Sequence, residues 1–165
     1  MRVVLRPQQR IVELAGRRTV ARMLRELGVV PGTAMVIRDD TLLLDTEILI
    51  WWDANDRRLG QRARTAIARA ADVYVSAASA WEIAIKQALG KLTTTRQPDE
   101  AVTDAGFTPL PVTFAHAAAI GALPNHHKDP FDRLIIAVAR VEALTIVSSD
   151  DRFALYGGPL IDART

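Results

Sequence analysis

From Leu42 onward, short apolar runs alternate with stretches of helical period, and this alternation constrains the fold more than any other feature of the chain. The runs LLLD, VYVS, FTPLPV and LTIVSSD are too short for helices. They are interleaved with TEILIWW, SAWEIAIKQALG, FAHAAAIGAL and PFDRLIIAVARVEA, whose apolar spacing is close to helical. Parallel strands need a crossover, and the crossover helix comes to lie on a face of the sheet. The pattern therefore predicts a three-layer α/β/α domain with a central parallel sheet that holds LLLD, VYVS and LTIVS together.

The front of the chain reads differently. RVVLR and RIVEL alternate like a hairpin, TVARMLRELG has the period of a short amphipathic helix stopped by Gly28, and TAMVIR reads as a strand. The expectation is a small β-β-α-β segment over residues 1–41, followed by the α/β domain over 42–165, with Asp39-Asp40-Thr41 as the junction. Residues 1–41 carry eight arginines against four acids, so the net charge of +2 conceals a basic front. With 165 residues, 49% of them apolar, the chain can bury one good core, or one catalytic domain plus a small module. It has no uninterrupted apolar run of roughly 18 residues and no apolar stretch of the signal-peptide kind in MRVVLRPQQR, so a cytoplasmic protein with no membrane association is expected. The absence of cysteine excludes disulfides, thiolate metal sites and a cysteine nucleophile. Carboxylates and three histidines are left to hold any metal, and hard cations suit them.

In an open parallel sheet, ligands bind outside the carboxyl ends of the strands. Four acids fall there: Asp45 ends LLLD, Glu82 lies in the helix after VYVS, Asp132 lies in the first turn of PFDRLIIAVA, and Asp150 follows TIVSS. Clustered carboxylates either take up protons or collect a cation, and Mg²⁺ or Mn²⁺ suits an oxygen-only site. Such a centre suits phosphodiester hydrolysis, because a metal can generate hydroxide and stabilise the leaving oxygen. Each acid also has a structural explanation. Ser79-Ala-Trp-Glu82 has the form of a capping box, Asp129 before Pro130 reads as an N-cap with Asp132 at the positive end of the helix dipole, Asp45 can cap TEILIWW, and Asp150 can close a turn. Taken singly, the four acids do not decide between chemistry and capping.

The motifs LLLDTEILIWW, VSAASAWEIAIKQALGKL, HHKDPFDRLIIAVA and IVSSDDRFALYG resemble, in that order, those of the PIN-domain family, and more narrowly the VapC-type toxins of bacterial toxin–antitoxin pairs. The resemblance covers residues 42–165. By position it implies metal-binding, catalytic acids at Asp45, Glu82, Asp132 and Asp150. Thr46 and Ser148 match the supporting hydroxyls, and Asp129 matches the extra acid of the DPFDR subgroup. It also implies a Mg²⁺- or Mn²⁺-dependent endoribonuclease that acts on RNA, commonly structured RNA such as tRNA, is silenced by a cognate VapB-type antitoxin, and forms a homodimer. Two alternatives are a non-catalytic PIN-like scaffold, which has no electrostatic reason to keep all four acids together, and a DNA-acting PIN nuclease. The short length and the lack of a helical-arch insertion weigh against the second.

RNA binding needs basic groups beside the acids, and Lys86, Arg133 and Arg152 lie close to them in sequence, with Lys91 nearby. Any one of these also reads as a solvated surface charge. Trp51, Trp52, Trp81 and Phe153 are the few aromatics that could stack on bases, at spacings that fit core or dimer packing equally well. His126 and His127 are adjacent in a loop, where side chains rarely converge on one metal. His127 matches a position often occupied by histidine in the DPFDR subgroup, which implies a role in orienting substrate or Asp132; His116 is expected on a helix surface. Residues 2–38 resemble the first half of the ThiS/MoaD-like β-grasp sulfur carriers and, more distantly, the AbrB-type antitoxin domains. Gly157-Gly158 is followed by Pro159, so carrier chemistry through a terminal glycyl carboxylate is not expected.

Overall fold

The structure is a computed structural model that describes residues 41–165 throughout and, before them, Arg2–Leu5, Arg10–Glu13, Arg25 and Gly28. The chain divides into two compact units, residues 1–36 and 37–165. In the first, β1 (Arg2–Leu5) pairs antiparallel with β2 (Arg10–Glu13), Val3 opposite Val12 and Val4 opposite Ile11, as the alternation predicts. The expected helix and third strand over TVARMLRELG and TAMVIR lie outside the described residues, apart from a turn in which Gly28, at φ +68°, donates its N–H to the Arg25 carbonyl.

The second unit is built on β3 (Thr41–Leu44), α1 (Thr46–Asp53), α2 (Gln61–Arg69), β4 (Asp72–Ser76), α3 (Ala77–Ala88), α4 (Pro98–Asp104), β5 (Thr108–Leu110), α5 (Phe114–Ile120), α6 (Pro130–Glu142), β6 (Thr145–Ser148), a 3₁₀ turn (Asp151–Tyr156) and β7 (Leu160–Asp162). The five strands form one parallel sheet in the order β5-β4-β3-β6-β7, so VYVS and TIVS flank LLL as expected. All four residues of β3 are buried because helices cover both faces of the strand. Its side chains alternate: Leu42 and Leu44 join a core with Ile48, Leu49, Ala63, Ile67 and Val102 from α1, α2 and α4, whereas Leu43 joins the opposite core with Leu134 to Ala139 of α6. The prolines respect the ladder. Pro109 sits in β5, an edge strand, where a missing N–H need not cost a sheet hydrogen bond.

Three elements, α2, α4 and β7, escape the sequence reading. The first two are short and bury only two residues each, Ala63 with Ile67 and Ala101 with Val102, which is too little for a clear helical period. His116 is a correction. It is fully buried, not on a helix surface, because α5 packs against α6. Its Nδ1 accepts the Thr113 N–H at 3.1 Å, and its Nε2 meets Glu142 Oε1 at 3.0 Å.

Candidate active site

The carboxyl ends of β3, β4 and β6 lie side by side, with β3 between the other two, and each delivers an acid to the same end of the sheet. The chain moves from β3 outward through β4 to β5, then crosses back to β6 on the far side. The winding therefore reverses at β3, the point outside which open parallel sheets bind their ligands. Asp45 follows β3 directly and caps α1, its Oδ1 accepting the Thr46 N–H at 2.7 Å. Its Oδ2 accepts the Ser148 hydroxyl at 2.7 Å from the end of β6, and Ser148 Oγ in turn accepts the Asp150 N–H at 3.1 Å. Ser148 thus ties the two strand ends together. A hydrogen bond to a buried charge of this kind contributes about 1.5–3 kcal/mol.

Glu82 is not part of a capping box. Strand β4 runs straight into α3, whose N-cap is Ser76, with its Oγ accepting the Ala78 N–H at 3.1 Å, so Ser79 and Glu82 both lie inside the helix. Glu82 is buried and pairs through Oε1 with Lys86 Nζ at 2.5 Å, one helical turn on. Its Oε2 is buried without a hydrogen-bond partner among the described residues, as are Thr46 Oγ1 and Ser79 Oγ. All three belong to residues just past the carboxyl ends of β3 and β4, so the unsatisfied polar atoms gather at the site. Asp129 is the N-cap of α6, its Oδ1 accepting the Phe131 N–H at 2.8 Å, with Pro130 opening the helix and Asp132 in its first turn. Asp150 caps the 3₁₀ turn through the Arg152 N–H.

The electrostatics follow from this crowding. Burial pushes the Asp45 carboxyl up to about 6; the Ser148 and Thr46 hydrogen bonds oppose that rise, while Glu82 and Glu47 add to it. Asp132 is pushed up to about 8, first by burial and then by the charges of Asp45, Asp129, Glu82 and Asp150. Asp150 goes the other way. The Arg152 guanidinium, with Nε at 3.0 Å and Nη2 at 2.6 Å, holds it well below the usual carboxylate range. The contact to Glu82, helped by the fields of Asp129 and Asp132, raises Lys86. His127, Asp132 and Asp150 each offer a ligand atom within 4.8 Å of one another, with His127 Nε2 at 3.0 Å from Asp132 Oδ2 and 3.1 Å from Asp150 Oδ2.

Of the cations expected to meet substrate, Lys86 and Arg152 lie at the site, both paired with its acids. Arg133 is directed elsewhere. Its guanidinium donates to the carbonyls of Pro124, Ile120 and Leu123, so it ties the loop before α6 to the helix. Trp81 is 58% exposed next to Glu82 and meets Phe131 edge-on at 5.0 Å, whereas Trp51 and Phe153 are core residues. Sequence reasoning missed Glu47, which adds to the field on Asp45 and whose Oε2 accepts the Ser149 hydroxyl at 2.7 Å. It also missed Tyr156, whose hydroxyl accepts the His127 N–H at 2.8 Å. Glu47 was discoverable as a second acid in the first turn of α1; Tyr156 left no local signal.

A parallel α/β domain with acids converging at the ends of three neighbouring strands places those acids where such sheets bind ligands, an arrangement suited to carboxylate-based chemistry. The chain belongs to the PIN domain family, matching it over residues 42–159. It is 35% identical to ribonuclease VapC22 of Mycobacterium tuberculosis over an alignment of 127 residues that covers 72% of this chain and 94% of the relative. The same fold occurs in VapBC2 from Rickettsia felis, solved bound to a DNA fragment from its promoter, with a TM-score of 0.56 and 14% identity over 74% of this chain and 98% of that one. It occurs also in FitAcB from Neisseria gonorrhoeae, with a TM-score of 0.53 and 20% identity over 74% and 97% of the two chains.

Proposed function

We propose that this chain is a metal-dependent endoribonuclease, the toxin of a toxin–antitoxin pair, with Asp45, Glu82, Asp132 and Asp150 as its catalytic, metal-holding acids. The observation that carries the proposal is the gathering of like charge around Asp132, together with the buried Oε2 of Glu82, which has no hydrogen-bond partner among the described residues. Such a cluster is relieved by a cation. The donors fit a hard divalent ion, Mg²⁺ or Mn²⁺, because the four acids offer only carboxylate oxygens. A bound ion would supply Lewis acidity toward the phosphodiester and lower the pKa of water.

The chain's own residues set the geometry. Thr46 and Ser148 hold both oxygens of Asp45, so that carboxylate is fixed before any ion arrives. Asp129 shapes the first turn of α6 and so places Asp132. Lys86 and Arg152 stand where a phosphate backbone approaching the acids would meet positive charge, and the exposed face of Trp81 offers a surface on which an unpaired base can stack. RNA as substrate is supported by the likeness to a ribonuclease, and structured RNA such as tRNA is the class we propose. A VapB-type antitoxin as partner is supported by neighbours solved as VapBC and FitAB assemblies, and a homodimer is the proposed oligomeric state. No helix among the described residues is long and apolar enough to cross a membrane. We place the protein in the cytoplasm, where its RNA lies.

Side-by-side digestion of labelled RNA and DNA, with Mg²⁺ and with EDTA, tests the activity. RNA should be cut internally, DNA left intact, and EDTA should abolish cleavage. Metal binding without cleavage of either would favour a scaffold, and cleavage of DNA alone a DNA-acting enzyme. Calorimetry with Mn²⁺ should show binding to the wild type that Asp45→Asn weakens; equal heats would remove Asp45 from the ligand set.

A further inference from the structure

We infer that His127 is a positioning residue rather than a metal ligand: its ring is locked as the tautomer that carries hydrogen on Nε2, and that hydrogen holds Asp132 and Asp150 together. The inference rests on the proposed metal site. His127 stands among two of the acids with its Nε2 about 3 Å from each, a geometry that at first sight suggests a histidine–carboxylate metal triad.

The other side of the ring decides the matter. Nδ1 faces the backbone N–H of Asp129 at 3.0 Å. A backbone N–H can only donate, so Nδ1 must present its lone pair. A neutral imidazole carries one ring hydrogen, which leaves it on Nε2, and Nε2 points between two carboxylate oxygens that can accept it. Both sides of the ring therefore select the same tautomer. A flipped ring would set carbon against the Asp129 N–H and against both carboxylates, losing every one of these contacts.

The ring has little freedom to escape. The His127 side chain is 3% exposed, its backbone N–H is held by Tyr156, and Phe153 lies edge-on to the ring at 6.3 Å. Coordination through Nε2 would require removing its hydrogen while Nδ1 stays committed to Asp129. A metal ligand needs a free nitrogen lone pair, and this ring has none aimed at the acids. His127 instead joins the start of α6, which carries Asp132, to the segment after β6, which carries Asp150. Those two carboxyl groups are held in one arrangement before a cation arrives. The donor set that remains is oxygen-only, favouring Mg²⁺ and Mn²⁺ over Zn²⁺.

Long-range ¹H–¹⁵N NMR of the histidine rings reads the tautomer directly in the full-length protein. His127 should show a hydrogen on Nε2 and a bare Nδ1 without metal, and the same pattern with saturating Mg²⁺. Loss of the Nε2 hydrogen on adding Mg²⁺, or a hydrogen on Nδ1 in the metal-free protein, overturns the inference. Calorimetry with Mn²⁺ gives a second readout. His127→Ala should weaken binding by about 10- to 100-fold, without changing the preference among Mg²⁺, Mn²⁺ and Zn²⁺. His127→Gln, which places an N–H near the same point, should recover most of that loss. An Ala variant that binds as tightly as wild type, or a Gln variant no better than Ala, refutes the positioning role. Wild-type protein that binds no divalent ion refutes the metal reading of the four acids instead, while the metal-free spectrum still judges the tautomer.

Discussion

Asp132 and Asp45 make the metal-free protein sensitive to pH in one direction. Their carboxyls are raised from 3.8 to about 8 and about 6, so between those values and about 4 the folded state binds protons that the unfolded state has released. Stability from this source is complete below pH 4 and is lost as the pH rises toward 8. Asp150 is depressed, so its contribution is present above pH 4 and is lost only in more acidic solution. Thermal unfolding of the metal-free protein should therefore show a falling Tm from about pH 5 to pH 8, reversed by saturating Mg²⁺. Asp132→Asn should flatten the slope, raise the metal-free Tm at pH 8 by a few degrees, and abolish cleavage; an unchanged slope would mean that Asp132 is not the group responsible. Asp45 and Asp150 were legible in the sequence because each follows an apolar run, and Asp132 because Asp129 and Pro130 mark the start of the helix that carries it. The partners were not. Whether Lys86 turns toward Glu82, Arg133 toward carbonyls or His127 toward two aspartates depends on side-chain direction and on contacts from distant elements.

At the scale of elements, strands were easier to read than short helices. The runs LLL, VYVS and TIVS are buried on both faces and so lack polar interruption, whereas α2 and α4 present only two buried positions each. His116 was misread for a related reason. The alanines around it give α5 no strongly apolar face, and only the packing of α6 reveals which side is covered. The capping-box reading of Ser79 and Glu82 failed because the spacing was right but the helix starts earlier, at Ala77. The end of α6 carries a testable cost: Ala143 caps the helix in the left-handed region at φ +57°, a conformation that glycine adopts without strain. Ala143→Gly should stabilise the fold by about 0.5–1 kcal/mol, seen in urea unfolding as a higher midpoint at unchanged slope. A lower midpoint would show that burial of the Ala143 methyl outweighs the backbone strain.

At the scale of the molecule, residues 37–165 hold a complete five-stranded sheet, both cores and every candidate acid. The reading of residues 1–41 as a partial β-grasp module remains a proposal, and the nuclease is proposed not to need it. A chain beginning at residue 37 should arrest growth when expressed, Asp132→Asn should remove that effect, and the full chain should be equally toxic at equal abundance. Growth curves with matched protein levels check this. A much weaker full chain would reveal residues 1–36 as a restraint, and a folded, abundant but harmless shorter chain would count against the toxin itself. The bond between Ser148 and Asp45 has one more consequence, in time rather than space. It joins residues 103 positions apart, and at about 5–20 residues per second a ribosome needs roughly 5–20 s to cover that distance. Throughout that interval Asp45 has been synthesised while the strand that completes its surroundings has not. A chain released early, between Asp45 and β6, carries the first of the proposed metal-holding acids without the last, so an aborted round of translation leaves the proposed site incomplete.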